Sequence, residues 1–385
     1  MTEAALLLAF AAALGAIVGS FANVCIHRLP RGESVVSPPS RCPGCGGRIA
    51  FYDNVPVVSW LLLRGRCRRC AIPIPVRYPL VETATALLFL GAAIFWGPTT
   101  DALRGAFLGA ACIVLVATDL SDRILPDEVT LGGALLGLLL SALPERPGDG
   151  SLAASGDRVL ESLLGAAVGS GLLLAVRAAY RRFRGVEGLG LGDVKMLAMV
   201  GAFTGPAGAL LTVFLGSLAG SVLGGAFTGL RSAAWRQVAR GIASGAVAPD
   251  EAARTGGLLV APDGRVLASS PLWREIPGAA ADGEPLRSSS AVARPLVAFA
   301  RLARRRAGRP SSASRLVVDD GDEFFRVFAA RGVPAGDGAL LVLFGRADIP
   351  FGVFLAAGAL VAFAAGRALL EGSGLSLLLP QGLLP

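Results

Sequence analysis

The sequence predicts an all-α polytopic membrane protein of about eight transmembrane helices, with a small cysteine-bearing ribbon and an α+β insertion on its cytoplasmic side. Three observations lead there. Hydrophobic residues make up 53% of the 385, and the mean hydropathy is +0.62. Several apolar runs approach the roughly 20 residues that cross a bilayer. The arginines gather between those runs, as they do in cytoplasmic loops of membrane proteins. The net charge of +8 therefore reads as topology, and no nucleic-acid partner is expected. The partner this composition calls for is the lipid bilayer.

The elements follow in chain order. Residues 1–26 form a first transmembrane helix, its apolar run at 4–24. No basic residue precedes that run and no small-residue cleavage site follows it, so it reads as a permanent span and not a removed leader. Further spans are expected at 79–96, 102–118, 129–143, 159–180, 194–204, 207–230 and 350–370. Gly205-Pro206 reads as a turn between the sixth and seventh, because the charge pattern then closes. The loop 27–78 carries Arg28, Arg31, Arg41, Arg48, Arg64, Arg66, Arg68, Arg69 and Arg77 against Glu33 and Asp53. The positive-inside rule places it in the cytoplasm. Alternation then puts residues 119–128 and 181–192 on the same side.

Residues 79–230 make the transmembrane core. Gly216, Gly220 and Gly224 lie four apart there and read as helix-packing positions. Residues 231–349 differ in kind, rich in arginine, acids, proline and serine. A hairpin is expected around Asp263-Gly264, and strands among the apolar runs 316–318, 324–328 and 339–344. Between them, 279–315 reads as a flexible basic connector. No catalytic constellation is visible in this insertion. Residues 350–385 supply the last helix and a tail.

Cys42-Pro-Gly-Cys45 and Cys67-Arg-Arg-Cys70 are two knuckles. Each offers two sulfurs to one ion, and together they complete a tetrahedral thiolate site, the arrangement zinc prefers. A reducing cytoplasm argues against disulfides. With all four positions filled by protein, Zn2+ would be structural, and it would supply much of the loop's folding energy. Cys25 and Cys112 sit in apolar runs and read as packing residues. His27 is the single histidine, so Ser-His-Asp or Cys-His catalysis is hard to assemble.

Two acid clusters adjoin apolar runs: Asp119, Asp122 and Asp127 after the third span, and Asp193 in Gly190-Leu-Gly192-Asp193-Val-Lys195. A carboxylate beside hydrocarbon is costly, and a fold that keeps one usually uses it. If Asp119 and Asp193 face each other, they can share a proton and activate a water, the chemistry of an aspartic protease. The same pair could serve as a proton relay in a transporter, and residue chemistry alone leaves both readings open. Asp127 follows Pro126 and could cap the fourth span. Gly190 and Gly192 would let the chain bend and a substrate strand approach. Lys195, the only lysine, could tune Asp193, bind substrate, or snorkel to the interface.

The chain resembles the bacterial type 4 prepilin leader peptidases, which cleave prepilin leaders and N-methylate the new end. The matching residues are Gly19-Ser-Phe-Ala-Asn23-Val, Arg28-Leu-Pro-Arg31, the two cysteine knuckles, Asn54-Val-Pro56, Arg77-Tyr-Pro-Leu-Val-Glu82, the cluster 119–127, Gly190-Leu-Gly192-Asp193 and Ile349-Pro-Phe-Gly352. The resemblance implies that Asp119 and Asp193 are the catalytic pair. It implies an inner-membrane enzyme acting on type IV prepilins or pseudopilins at the cytoplasmic end of a bilayer helix. It also implies S-adenosylmethionine as methyl donor, although no Gly-x-Gly-x-x-Gly fingerprint follows a strand. The chain departs from the family at 231–349, where a short loop is usual.

Overall fold

The computed structural model describes residues 3–146, 152–184, 189–263, 265–270, 273, 281–285, 314–319, 325–335, 339–346 and 351–372. The helices are α1 (Glu3–Arg28), α2 (Val58–Leu62), α3 (Arg77–Trp96), α4 (Thr100–Ser121), α5 (Asp127–Ser141), α6 (Leu152–Arg184), α7 (Leu191–Ala243), α8 (Pro249–Gly256) and α9 (Phe351–Gly372). The chain forms two compact units, one of Met1–Ala219 with Pro350–Pro385, the other of Gly220–Ile349.

Five stretches are long and apolar enough to cross a membrane: Glu3–Arg31, Arg77–Trp96, Thr100–Ser121, Ser155–Phe183 and Leu191–Ala226. Helix α5, with 15 residues, and the apolar part of α9, Phe351–Gly366, are shorter. The fifth stretch has 36 residues and would reach about 54 Å as one straight helix, nearly twice the hydrocarbon thickness. It is broken at Gly205, where φ is 70° and ψ is −179°. Only glycine adopts that conformation readily, and Pro206 then removes a helix hydrogen bond.

Neighbouring glycines show which way each limb runs. A methyl group on Gly133 would lie 2.5 Å from Met199 Sδ, and one on Gly137 would lie 3.0 Å from Phe203. The first limb of α7 therefore runs parallel to α5. A methyl on Gly216 would meet the Phe354 carbonyl at 3.1 Å, and one on Gly358 the Thr212 carbonyl at 2.7 Å. The second limb therefore runs against α9. Helix α9 starts beside Asp119 and passes Trp96 farther along, where the ring centroid of Phe363 is 5.3 Å from that of Trp96. Both limbs thus run between the end that carries Asp119 and the opposite end. With α5, α9 and the two limbs counted separately, the described residues hold eight apolar helical segments.

Small residues set how closely the helices approach. Methyls on Gly15 and Gly19 of α1 would lie 2.8 Å from Ala86 Cα and 2.7 Å from Glu82 Cα of α3. The tightest crossing pairs Gly165 of α6 with Gly201 of α7, where a methyl on either would lie 2.0 or 2.1 Å from the other's carbonyl oxygen. Such backbone contact replaces the hydrophobic drive that lipid does not provide. Of the glycines singled out by spacing, Gly216 packs against α9, whereas a methyl on Gly224 would meet nothing within 4 Å. Leu108, Cys112, Leu115, Met196, Leu197, Met199, Val200 and Leu355 form the buried centre.

At the end away from Asp119, the first limb stops against polar groups. Arg104 Nη2 donates to the Phe203 carbonyl at 2.6 Å, and Ser162 Oγ to the Ala202 carbonyl at 2.8 Å. These satisfy carbonyls that the Gly205 break strands at the helix end. Thr99 caps α4 by accepting from the Ala102 N–H at 3.2 Å.

The second unit carries an antiparallel sheet in the order β2-β1-β5-β4-β3. Its strands are β1 (Gly257–Val260), β2 (Val266–Ser269), β3 (Ser314–Asp319), β4 (Phe325–Pro334) and β5 (Leu340–Arg346). Strands β1 and β2 form the expected hairpin, with Leu259 opposite Ala268. Their inner face joins Ala252, Ala253 and Leu341 over Val238, Ala239 and Ile242. The expected flexible connector 279–315 is contradicted at both ends. Residues 281–285 return to the sheet, where Arg265 bridges Pro285 and the Val266 N–H donates to the Glu284 carbonyl at 2.9 Å. Ser314 and Arg315 already belong to β3, and 286–313 lie outside the described residues.

Candidate active site and cysteine centre

Asp119 stands in the last turn of α4 and is 7% exposed. Asp193 is the third residue of α7 and partly buried. Both lie at one end of the bundle and are linked there by Leu125, in the short loop between α4 and α5. A methyl on Gly192 would lie 3.1 Å from Leu125 Cβ, and one on Gly352 3.5 Å from Leu125 Cδ1 and 2.6 Å from Asp119 Oδ2. Gly352 thus brings backbone against the carboxylate of Asp119, with no room for a side chain. Arg123 takes a left-handed φ of 60°, an uncommon conformation for a residue with a Cβ. It turns the loop before Leu125.

Gly190 and Gly192 lead into α7, and the backbone bends at Leu189 just before them. Neither appears among the residues with positive φ, which include Gly205 and Gly245. Gly192 is needed for close contact with Leu125. Lys195 is also placed: its Nζ lies 2.7 and 2.8 Å from the two oxygens of Asp127. That pair joins the start of α7 to the start of α5. Asp127 does not cap α5. Pro126 holds the cap position with an extended backbone and no side-chain hydrogen bond, which makes Asp127 the first helical residue. Its charge still favours the helix N-terminus.

The loop 29–76 leaves and re-enters the bundle at the same end as the two acids. Asn23 Nδ2 of α1 donates to the Tyr78 carbonyl at 3.0 Å. Glu82 of α3, 8% exposed, accepts the Val57 N–H at 2.7 Å and is hydrogen-bonded by Ser20. Val57 has a φ of 61° just before α2, so the buried carboxylate holds a turn its residue disfavours. This explains why the Gly19–Asn23 and Arg77–Glu82 stretches come as a set. Sequence reading gave Glu82, Leu125 and Arg104 no role of their own. For Arg104 a signal existed: a cation inside an apolar run must find partners in the bundle.

The four cysteines converge. The Sγ atoms of Cys42, Cys45, Cys67 and Cys70 all lie within 4.8 Å of one another, and Cys42 and Cys70 are 3.7 Å apart. A tetrahedron with Zn–S bonds of about 2.3 Å has edges of about 3.8 Å, so the cluster has the size and donor set for one Zn2+. The two knuckles repeat one design. Cys42 N–H donates to the Gly47 carbonyl and Gly46 N–H to that of Cys42; Cys67 N–H donates to the Ile72 carbonyl and Ala71 N–H to that of Cys67, each at 2.9 Å. Bridges Arg41–Arg48 and Arg66–Pro73 close each knuckle.

Backbone N–H groups of Cys70 and Arg69 donate to the Cys67 thiol and lower its pKa to about 6. Cys70 accepts from the Ile72 N–H, which favours its thiolate. Burial and the crowded Cys42, Cys67 and Cys45 sulfurs outweigh that and push it up to about 11. For all four sulfurs to ionise at this spacing, a cation must lie between them. Around the cluster, Arg68 grips Asp53 through Nε and Nη2 at 2.6–3.0 Å, and Trp60 Nε1 donates to the Ile74 carbonyl at 3.1 Å. Apolar Phe51, Leu61 and Leu62 stay exposed, so the loop has little core of its own.

Two family descriptions match the sequence. One, the bacterial peptidase A24 N-terminal domain, matches residues 13–96. The other, the type IV leader peptidase family, matches 106–225. Among curated proteins, the chain is similar to a prepilin leader peptidase/N-methyltransferase of Myxococcus xanthus, 40% identical over 215 residues. That match covers 55% of this chain and 60% of the relative. A protein of the same name from Burkholderia pseudomallei is 35% identical over 242 residues, 56% of this chain and 75% of the relative. One from Klebsiella pneumoniae is 39% identical over 197 residues, 50% of this chain and 82% of the relative. No solved structure matches.

Proposed function

This chain belongs to the type IV leader peptidase family, and from that premise we propose that it cleaves the leaders of type IV prepilins or pseudopilins with Asp119 and Asp193. The observation that supports the assignment is that Asp119 lies against Gly352 while Gly192, the neighbour of Asp193, packs on Leu125, whose Cδ1 also reaches the Gly352 face. In this reading the two carboxyls share one proton. The ionised one takes a proton from a water, whose oxygen attacks the scissile carbonyl carbon. The protonated one hydrogen-bonds the carbonyl oxygen and gives it the proton as the tetrahedral intermediate forms. The first acid then protonates the departing nitrogen, the second takes back a proton from one hydroxyl of the gem-diol as the C–N bond breaks to give the new carboxyl end, and the pair again holds one shared proton.

The arginine distribution supports a cytoplasmic position for this end of an inner-membrane protein. Cys42, Cys45, Cys67 and Cys70 would hold Zn2+, which supplies folding energy to the loop and no reaction step. N-methylation of the new terminus belongs to the same proposal, because the relatives' shared name includes it. It would draw on S-adenosylmethionine. The sheet among the described residues is antiparallel and offers no strand–loop–helix cradle of the usual nucleotide kind. Among the described residues none is assigned to that cofactor, and no step through it follows.

The test is purified full-length protein incubated with a prepilin and read by mass, which reports loss of the leader and gain of a methyl group together. Asp119→Asn or Asp193→Asn should abolish cleavage while the protein still inserts in membranes. Normal processing by either variant removes it from the catalytic pair. A proton relay is the competing use of two buried acids; flux into liposomes without cleavage would favour it.

A further inference from the structure

The cysteine loop turns apolar side chains outward. Phe51 is 87% exposed and Leu62 78%, and Tyr52, Val55, Val58 and Leu61 are exposed as well. Ser59 ties them into one body: its buried Oγ donates to the Tyr52 carbonyl at 2.9 Å and accepts the Val55 N–H at 3.1 Å. A surface meant for water rarely gathers so much hydrocarbon. The level of the segment shows what meets it. Helix α3 has 20 residues, about 30 Å, which only just matches the hydrocarbon thickness. Glu82 is its sixth residue, about 7.5 Å along the axis from Arg77. The Glu82 carboxylate accepts the Val57 N–H at 2.7 Å. A glutamate leaning toward its helix start cannot climb that whole distance, so Val57 and the start of α2 stand at headgroup depth. Around this level the bundle also exposes Phe21 of α1 and Leu80 of α3, as lipid-facing helices do. The backbone suits such a medium, where polar groups need internal partners. Asp53 and Asn54 donate to the Ala50 and Phe51 carbonyls, Ser59 to Val55, Leu63 to Ser59 and Gly65 to Trp60. Exposed Arg64 and Arg66 follow the apolar run, with stems long enough to carry charge back to the headgroups.

We propose that Phe51, Tyr52, Val55, Val58, Leu61 and Leu62 sit in the boundary between lipid headgroups and acyl chains. The cysteine loop is then a platform seated in the bilayer surface and not a domain free in water. The occupant of the patch is lipid, because a second copy or a peptide would have to enter the layer that α3 itself spans. Burial of these side chains in lipid supplies the apolar core that the loop lacks within its own fold. It also holds the four-cysteine cluster close to the membrane at the end of the bundle where Asp119 and Asp193 lie. This rests on α3 spanning the bilayer and holds whichever acids react.

The experiment uses the full chain reconstituted in phosphatidylcholine vesicles. Phe51→Trp and Leu62→Trp are each read as the tryptophan emission added over that of the parent chain. Both positions are exposed, and two sites cover a variant that fails to accumulate. The added emission should be lost to a nitroxide carried on the upper acyl chain and should resist iodide supplied on both sides of the vesicle. Emission lost to iodide and spared by the nitroxide would show the patch in water and overturn the proposal. Emission spared by both would mean that protein covers the patch, as a second copy would, and overturns it too. Nitroxide quenching that disappears when a prepilin is added would make the patch a peptide-docking surface, which also overturns the assignment to lipid. Cleavage is not part of the readout, so failure here leaves the protease reading standing.

Discussion

Gly352→Ala is the sharpest test of the arrangement around Asp119. The added methyl would lie 2.6 Å from Asp119 Oδ2, while its next neighbours are no closer than 3.4 Å. To reach an ordinary contact of 3.4 Å, the carboxylate must retreat by about 0.8 Å. The obstacle is the tip of a side chain, and a carboxyl can rotate away at a cost of about 0.5–1.5 kcal/mol if it leaves its rotamer. Catalysis has less tolerance, because a misplacement near 1 Å costs about 100-fold in rate, or about 2.7 kcal/mol of barrier. The expected outcome is a split: a thermal midpoint within a few degrees of the parent, and prepilin cleavage about 100-fold slower. Gly133→Ala is the control. Its methyl would also be crowded, 2.5 Å from Met199 Sδ, but methionine adapts and no acid is touched. Both variants are compared by initial rate in one membrane preparation, with differential scanning for stability. Parent-like cleavage by Gly352→Ala would refute the claim that the position of Asp119 Oδ2 governs the rate.

Two further predictions concern the cysteine loop. Cys42→Ser or Cys67→Ser should lower the zinc bound per chain measured by atomic emission, and a chelator should expose the loop to protease; unchanged metal content would defeat the four-cysteine site. Ala71 has a φ of 58° at the position Gly46 fills with 67° in the sister knuckle. Ala71→Gly should therefore stabilise the loop by about 0.5–1 kcal/mol, since relief of left-handed strain exceeds the entropy glycine costs. The readout is slower loss of zinc to a competing chelator, and faster loss would show that Ala71 is unstrained.

Much of this protein was legible because two solvents write plainly in sequence. Apolar runs near bilayer length gave the helices, and Gly205-Pro206 gave the reversal that a 36-residue apolar stretch conceals. Paired cysteines gave the four-sulfur cluster, since two short spacings bring four sulfurs together wherever the loop closes. The β1–β2 hairpin followed from Asp263-Gly264. Other residues resisted. Asp127 read as a helix cap, yet Pro126 took that place and Asp127 found Lys195, a partner 68 positions away. Gly192 also makes a close contact with Leu125 that no spacing announced.

Sequence by itself determined which segments are apolar, where acids interrupt them, and which sulfurs could share an ion, because these depend on composition and short spacing. Tertiary structure alone decided that Leu125 packs on both Gly192 and Gly352. It also decided that Gly352 abuts a carboxylate and that Glu82 fastens the cysteine loop through the Val57 N–H. Those relations join helices whose residues lie far apart along the chain. The physical reason is that close contact between helices depends on their crossing, and no local pattern encodes which backbone a glycine will face.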